Sequence, residues 1–263
     1  MRGTYICLVL CGLAACALPS AATAAPSVTM FAKAVPIPGV RGTGNILGAG
    51  AALQAKFTIA GTEYGGFPPP LTEVKFYGPH GAKVHSRGFA TCSLRTLEQS
   101  GPRRCPRKSH AGPKGSASGI VSFGTERVHE TVSVQPFFAP GGDLEFFVDG
   151  VTPVSIEIIS KGRIVNSAAP YGPEVVATVP LIESVPGALD ASALEINVKV
   201  GASYKKKGGK RVYYIRVPRR CPRGGFPLKA ELGFLGGAVS SASYKAPCPK
   251  RRGGRSGQRS RRR

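Results

Sequence analysis

Three observations predict an all-β fold of the antiparallel β-sandwich or jelly-roll-like kind. Apolar and polar residues alternate with a period of two over many short segments. The chain carries 35 glycines and 23 prolines in 263 residues, a density that suits frequent turns and breaks long helices. Tryptophan is absent, so the core has to be assembled from Val, Ile, Leu, Phe and Ala.

The alternation is clearest in three places. Leu53, Ala55, Phe57 and Ile59 alternate with Gln54, Lys56 and Thr58; Leu194, Ile196, Val198 and Val200 alternate with Glu195, Asn197 and Lys199. Phe226, Leu228, Ala230, Leu232 and Phe234 form a third apolar set, with Lys229 and Glu231 facing away. Successive strand side chains point to opposite faces, so each pattern means one buried and one wet face. Further strands are expected near 28–35, 72–77, 84–90, 117–123, 130–138, 144–149, 154–159, 163–166, 174–182, 211–217 and 238–246. Hairpin turns are expected at Pro140-Gly141-Gly142-Asp143, at Ser160-Lys161-Gly162-Arg163, and at Lys205–Lys210 with Gly208-Gly209 at the tip. One or two helical turns are expected near 186–193. A soft boundary at Ala168–Pro173 divides the domain, 25–249, into halves of about 25–170 and 171–249.

The N-terminus reads as an export signal over 1–24. One charge at Arg2 precedes an uncharged apolar run from Tyr5 to Leu18; Pro19 and Ser20 break it, and Ala22-Thr23-Ala24 supplies small residues for cleavage. The run is shorter than the roughly 20 residues a membrane-spanning helix needs. An alternative is lipoprotein processing at Leu13-Ala14-Ala15-Cys16, which would tether the product by acyl chains. Four cysteines remain beyond the signal: Cys92, Cys105, Cys221 and Cys248. In an oxidising compartment they read as two disulfides. Of the three connectivities, Cys92–Cys105 with Cys221–Cys248 closes the shortest loops, for which chain entropy assigns about 3 and about 3.5 kcal/mol. The spacings lack the close cysteine pairs of a zinc knuckle, and no metal or cofactor is expected.

The net charge of +22 is unevenly spread. From Ala25 to Cys248 there are 27 Lys and Arg against 14 Asp and Glu, and the tail from Lys250 to Arg263 adds eight basic residues and no acid. That tail, 250–263, has nothing apolar to bury and is expected to be disordered. A second basic run between Lys199 and Arg223 holds ten basic residues, and no acid occurs from Ile196 to Ala230. A smaller group, Arg103, Arg104, Arg107, Lys108 and Lys114, surrounds Cys105. The candidate polyanion-binding residues are therefore Lys205, Lys206, Lys207, Lys210, Arg211, Arg219, Arg220, Arg251, Arg252, Arg261, Arg262 and Arg263. The expected partner is an anionic cell-envelope polymer or membrane surface. Specific nucleic-acid recognition is disfavoured: export removes the protein from its own nucleic acid, and no aromatic residues interleave the tail.

No motif identifies a catalytic centre. His80, His85, His110 and His129 lie in turns or at strand starts, and His129-Glu130 is not followed by the spacing of a zinc-protease helix. Gly115-Ser116-Ala117-Ser118-Gly119 places alanine where a nucleophile elbow needs serine, and the glycines of 42–48 lack dinucleotide-loop spacing. Glu145 and Asp149, with Asp143 beside them, form the one carboxylate set that suits a hydrolase on a sandwich scaffold, since a glycosidase needs two acids about 5–10 Å apart. Phe137-Phe138 and Phe146-Phe147 place one ring of each pair on each face, an apolar patch if the outer rings are bare. Tyr213 and Tyr214 stand beside Lys210 and Arg211 as candidates for a glycan or polyanion surface.

Two segments, TCSLRTLEQSGPRRCPRKSHAG (91–112) and RCPRGGFPLKAELGFLGG (220–237), resemble the Cys…Cys-Pro segments of uncharacterised secreted β-rich proteins of high-GC Gram-positive (actinobacterial) bacteria. The likeness runs from about Val28 to Pro249 and implies secretion and a β fold, with no activity attached. The residues after Cys105-Pro106 are more basic here than in that group. The expectation is a non-catalytic extracytoplasmic protein, associated with the envelope through its charge; the alternative is a carbohydrate-active or other hydrolase.

Overall fold

The computed structural model describes residues 25–249. The expected signal, the Cys16 lipidation site and the basic tail lie outside the described residues. The fold is all-β. Its strands are β1 (Ser27–Val35), β2 (Gly50–Ala60), β3 (Leu71–Pro79), β4 (Lys83–Val84), β5 (Gly115–Phe123), β6 (Glu126–Phe138), β7 (Leu144–Gly150), β8 (Ile156–Asn166), β9 (Tyr171–Thr178), β10 (Ser192–Val200), β11 (Ser203–Lys205), β12 (Arg211–Tyr213), β13 (Ile215–Arg216), β14 (Phe226–Phe234) and β15 (Val239–Ala246). Thirteen of them form one antiparallel sheet in the order β15-β14-β3-β9-β8-β7-β6-β5-β10-β2-β13-β4, with β1 on β2; β11 and β12 make a separate two-stranded sheet. The large sheet folds over so that β1 and β2 pack against β3 and β14. Its margins touch without a ladder: Phe31 and Tyr244 meet edge-on at 5.2 Å, and the Ser240 hydroxyl donates to the Pro26 carbonyl. Strands from both sides of Ala168–Pro173 share this sheet, and that segment holds the end of the β8–β9 turn and the start of β9.

The period-two patterns sit as their chemistry requires. Along β14, Phe226, Leu228, Ala230, Leu232 and Phe234 are buried while Lys229 and Glu231 face out and pair with each other at 2.6 Å. Along β2, Ala55, Phe57 and Ile59 are buried. In β10 a register shift between Ala193 and Glu195, where β10 meets β5, inserts one extra residue. A bulge of this kind reverses the facing on one side of it. Ala193, Ile196 and Val198 pack on the core, and Leu194 does not.

Three local expectations are corrected. Ser160–Arg163 is not a turn; β8 runs unbroken through it, with Gly162 paired to Leu144 and Ala177. A Cβ on Gly162 would stand 2.9 Å from the Phe146 ring, so the glycine makes room for a side chain rather than bending the backbone. The stretch near 186–193 holds no helix, whereas a helix not foreseen, α1 (Leu94–Ser100), lies inside the first disulfide loop. Ser93 caps it by accepting from the Thr96 amide at 3.2 Å, Leu97 anchors it with no exposed surface, and Gly101, at φ 69°, ends it. Of the strand expected over 84–90 only β4 forms.

The two disulfides join Cys92 to Cys105 and Cys221 to Cys248. The first is buried on the outer face of the sheet with Leu97, Phe137 and Phe147. This clasp covers the outward phenylalanines: Phe137 and Phe147 are buried, so the conditional apolar patch does not exist. Phe138 and the half-buried Phe146 lie on the inner face beside Leu144 and Tyr214. No helix among the described residues is long and apolar enough to cross a membrane.

Candidate anion-binding end

Antiparallel pairing sends the two ends of each strand to opposite poles of the folded sheet. Working along the ladders, one pole gathers the connections 36–49, 80–114, 139–143, 167–170, 201–225 and 247–249. These connections contain 18 Lys and Arg and two acids, Glu98 and Asp143. The opposite pole gathers 61–70, 124–125, 151–155, 179–191 and 235–238, which contain no Lys or Arg and three acids, Glu63, Glu183 and Asp190. The strands carry the remainder in balance. The charge excess of the described chain is thus polar along the strand axis, which no local stretch of sequence announces.

The β11–β12 hairpin stands apart from the large sheet at the basic pole. Ser203, Tyr204 and Lys205 pair with Tyr213, Val212 and Arg211, and Lys205, Lys206, Lys207 and Lys210 are exposed around the Gly208-Gly209 tip. Its root is held by aromatic packing. Tyr204 meets Phe89 at 4.9 Å and its hydroxyl donates to the Arg87 carbonyl at 3.2 Å. At Tyr214 the chain changes partners: its amide donates to the Ala202 carbonyl at 2.9 Å, its carbonyl accepts from His85 at 2.8 Å, and the next two residues pair with β2 and β4. That switch aligns Arg216 with Lys83, and the Tyr204 hydrogen bond holds Arg87 beside the hairpin; Lys83 and Arg87 are two residues the sequence did not single out.

The second basic group joins the same pole. The Ala111 carbonyl accepts from Gly201 at 2.6 Å, and Ala111 shares a buried cluster with Tyr214 and Val200. Arg103, Arg104, Arg107, Lys108 and Lys114 are all exposed. Arg219 and Arg220 are exposed on the loop that leads to Cys221. Arg251, Arg252, Arg261, Arg262 and Arg263 lie outside the described residues. The ion pairs among the described residues, Lys56–Glu195, Lys75–Glu73 and Lys229–Glu231, use none of the basic-pole side chains. Arg211 donates to the Ser203 hydroxyl at 2.8 Å, and the Arg216 guanidinium lies 5.0 Å from the centre of the Tyr213 ring. Tyr214 is not a surface residue: it is 1% exposed, and burial, with Asp143 nearby, pushes its phenol well above the usual range.

The carboxylate set is not assembled as a pair. Glu145 and Asp149 are on the same face of β7, but four residues of strand separate their Cα atoms by about 13 Å. Phe147 stands between them, buried against the disulfide clasp. Asp143 shares a surface pocket with Glu145, Lys161 and Arg163, yet one of its oxygens is taken by the Ile164 amide at 3.2 Å. Glu145 is buried with Oε2 unpartnered, and desolvation raises its pKa, opposed by Lys161 across the ladder and assisted by Glu98. A carboxyl whose folded pKa is raised favours the folded state while protonated, and that contribution is lost as pH climbs from the ordinary 4.5 through the raised value. Glu145→Gln is therefore expected to be more stable than the parent at neutral pH, with the difference closing as pH falls below the ordinary value. Urea melts at a series of pH values read this directly, and an advantage that grew on acidification would contradict the assignment.

Among the described residues all four cysteines are in the two disulfides, and no cluster of three or more His, Cys, Asp or Glu side chains with metal-binding geometry occurs. Comparison of the chain with protein-family models, with curated proteins and with solved structures returned no match.

Proposed function

We propose that this is a non-catalytic extracytoplasmic binding protein that attaches through its basic pole to an anionic polymer of the cell envelope. The observation that carries the reading is the segregation of 18 basic residues against two acids in the connections that leave one pole, with four exposed lysines on the β11–β12 hairpin. Charges of one sign on one pole sum into a field that attracts and orients a polyanion, and exposed lysines released from ion pairing are free to meet it. The two disulfides fit an oxidising compartment outside the cytoplasm, and the export signal read over 1–24 would supply the route.

The test is binding to purified anionic wall polymer over a salt series, with anionic-lipid vesicles as a second arm. The parent is expected to bind with an affinity that falls steeply with salt, because association releases counterions. Neutralising Lys205, Lys206, Lys207 and Lys210 to Gln is expected to weaken binding at least about tenfold at low salt. The same change should flatten the log–log salt slope by roughly three, on the scale of one counterion per phosphate-like contact. Removal of 250–263 should weaken binding additively. Binding that ignores salt, or that survives the hairpin substitutions unchanged, would remove the proposal.

A further inference from the structure

The pole opposite the basic one has a different chemistry. Phe123 at the β5–β6 tip is 54% exposed, Val151 after β7 is 75% exposed, and Leu181 and Leu189 of the 179–191 connection are 46% and 40% exposed. At the same pole lies a cavity of about 120 Å³, lined by Val121, Val132, Val148, Ile156, Ile158 and Ile196 and by Leu181 and Ile182 of the 179–191 connection. Its size approaches the roughly 150 Å³ of an engineered aliphatic cavity that takes up benzene.

One charged side chain is set among these aliphatic walls. Glu130 is 2% exposed and lines the cavity; it shares the inner face of β6 with Val132 and Val134. Its Oε2 accepts from the Val154 amide at 3.1 Å, and its Oε1 is buried without a partner. A Cβ on Gly150 would fall 2.9 Å from Oε1 and 2.6 Å from Val132, so glycine at this strand position is what leaves the carboxylate its room. A buried carboxylate oxygen left unpaired in apolar surroundings is costly, and a ligand that supplies a cation with a hydrogen-bond donor removes the cost. The surrounding pole adds three acids and no basic residue in its connections. The nearest basic residue along β6, Arg127, donates from Nη2 to the Ser192 hydroxyl at 3.1 Å and lies over the faces of Tyr64 and Phe67, with Nε and Nη1 buried and unpartnered; it makes no ion pair with Glu130.

From these observations we infer that the cavity is a binding site for a small apolar amine, its ammonium group on Glu130 Oε1 and its hydrocarbon part against Val132, Val148 and Ile158. The acidic, apolar pole would admit such a cation and repel a carboxylate of the same shape. This site is separate from the basic pole and independent of polymer binding there.

The experiment is titration of the purified, oxidised protein with butylamine, butanol and butyrate at neutral pH, followed by the amide resonances of Gly119 and Gly150 and by thermal unfolding. Butylamine is expected to saturate the shifts and raise the unfolding temperature, with butanol roughly tenfold weaker, the worth of about one charge-assisted hydrogen bond. Butyrate should give no saturable shift. Glu130→Gln should abolish the preference for amine over alcohol while leaving butanol binding in place. Val148→Phe, which fills the cavity without touching the carboxylate, should abolish both and serves as well if the Glu130 variant does not fold. Equal binding of amine, alcohol and butyrate by the parent would overturn the inference. So would amine binding that persists undiminished in Glu130→Gln or Val148→Phe.

Discussion

Phe137→Ala is expected to lower the stability of the oxidised protein by about 4 kcal/mol, the middle of the range for a fully buried aromatic truncated to a methyl. Phe137 has no exposed surface and packs with Leu97, Phe147 and the Cys92–Cys105 bridge, its ring edge-on to His110 at 4.9 Å. It is the floor on which the 92–111 segment lies, so the void left by truncation opens beneath a disulfide that cannot collapse freely into it. For a domain of this length the loss corresponds to roughly 8–16 °C in unfolding temperature. The neighbouring inner-face residue supplies the control. Phe146 is half-buried on the inner face, so Phe146→Ala should cost clearly less. Thermal or denaturant unfolding of the two variants side by side decides the matter. If Phe146→Ala were the more damaging of the two, the assignment of clasped and inner faces would be wrong.

The faces themselves were largely legible in the sequence, because a period-two pattern commits a strand to one orientation as soon as one side is buried. β2 and β14 show this directly. Where the pattern misled, the cause was a neighbour distant in the chain. Gly162 follows Ser-Lys like a turn residue, but its glycine answers the Phe146 ring on the adjoining strand. Leu194 alternates correctly with its neighbours until the bulge at β5 displaces it. The seven residues of α1 are too few for a helical period to stand out, and it is held by Leu97 and a serine cap rather than by propensity. The short-loop disulfide pairing was legible from spacing alone. The candidate site was legible only in part. The runs 199–223 and 103–114 were visible as charge clusters, yet their union at one pole, with Lys83 and Arg87 joined to them, depends on strand direction and register. Glu130 was hidden for the same reason: beside His129 it reads as an ordinary strand acid, and only the β6 register turns it inward.

Replacing Cys92 and Cys105 by alanine together is expected to destabilise the protein by about 4 kcal/mol, more than the corresponding change at Cys221 and Cys248. Chain entropy alone predicts the reverse order, about 3 kcal/mol for the loop closed over 13 residues and about 3.5 for the loop over 27. Burial decides between them. Cys92 and Cys105 are 2% and 8% exposed and pack in the cluster with Phe137, so their sulfurs contribute apolar contact as well as a cross-link. Cys221 is half-buried and Cys248 is exposed, and the strands they flank are already registered by the Phe226–Ala246 ladder. A graded reductant titration should therefore open Cys221–Cys248 first, with a modest shift in unfolding temperature. Loss of Cys92–Cys105 should follow, with the larger shift and the release of Arg103, Arg104, Arg107 and Lys108 from their places at the basic pole. Because Phe137 and the buried bridge touch, the Phe137→Ala and Cys92→Ala/Cys105→Ala effects should combine to less than their sum. Full additivity would mean that the clasp and its aromatic floor act independently, and a larger loss from the Cys221–Cys248 variant would show that loop entropy outweighs packing in this fold.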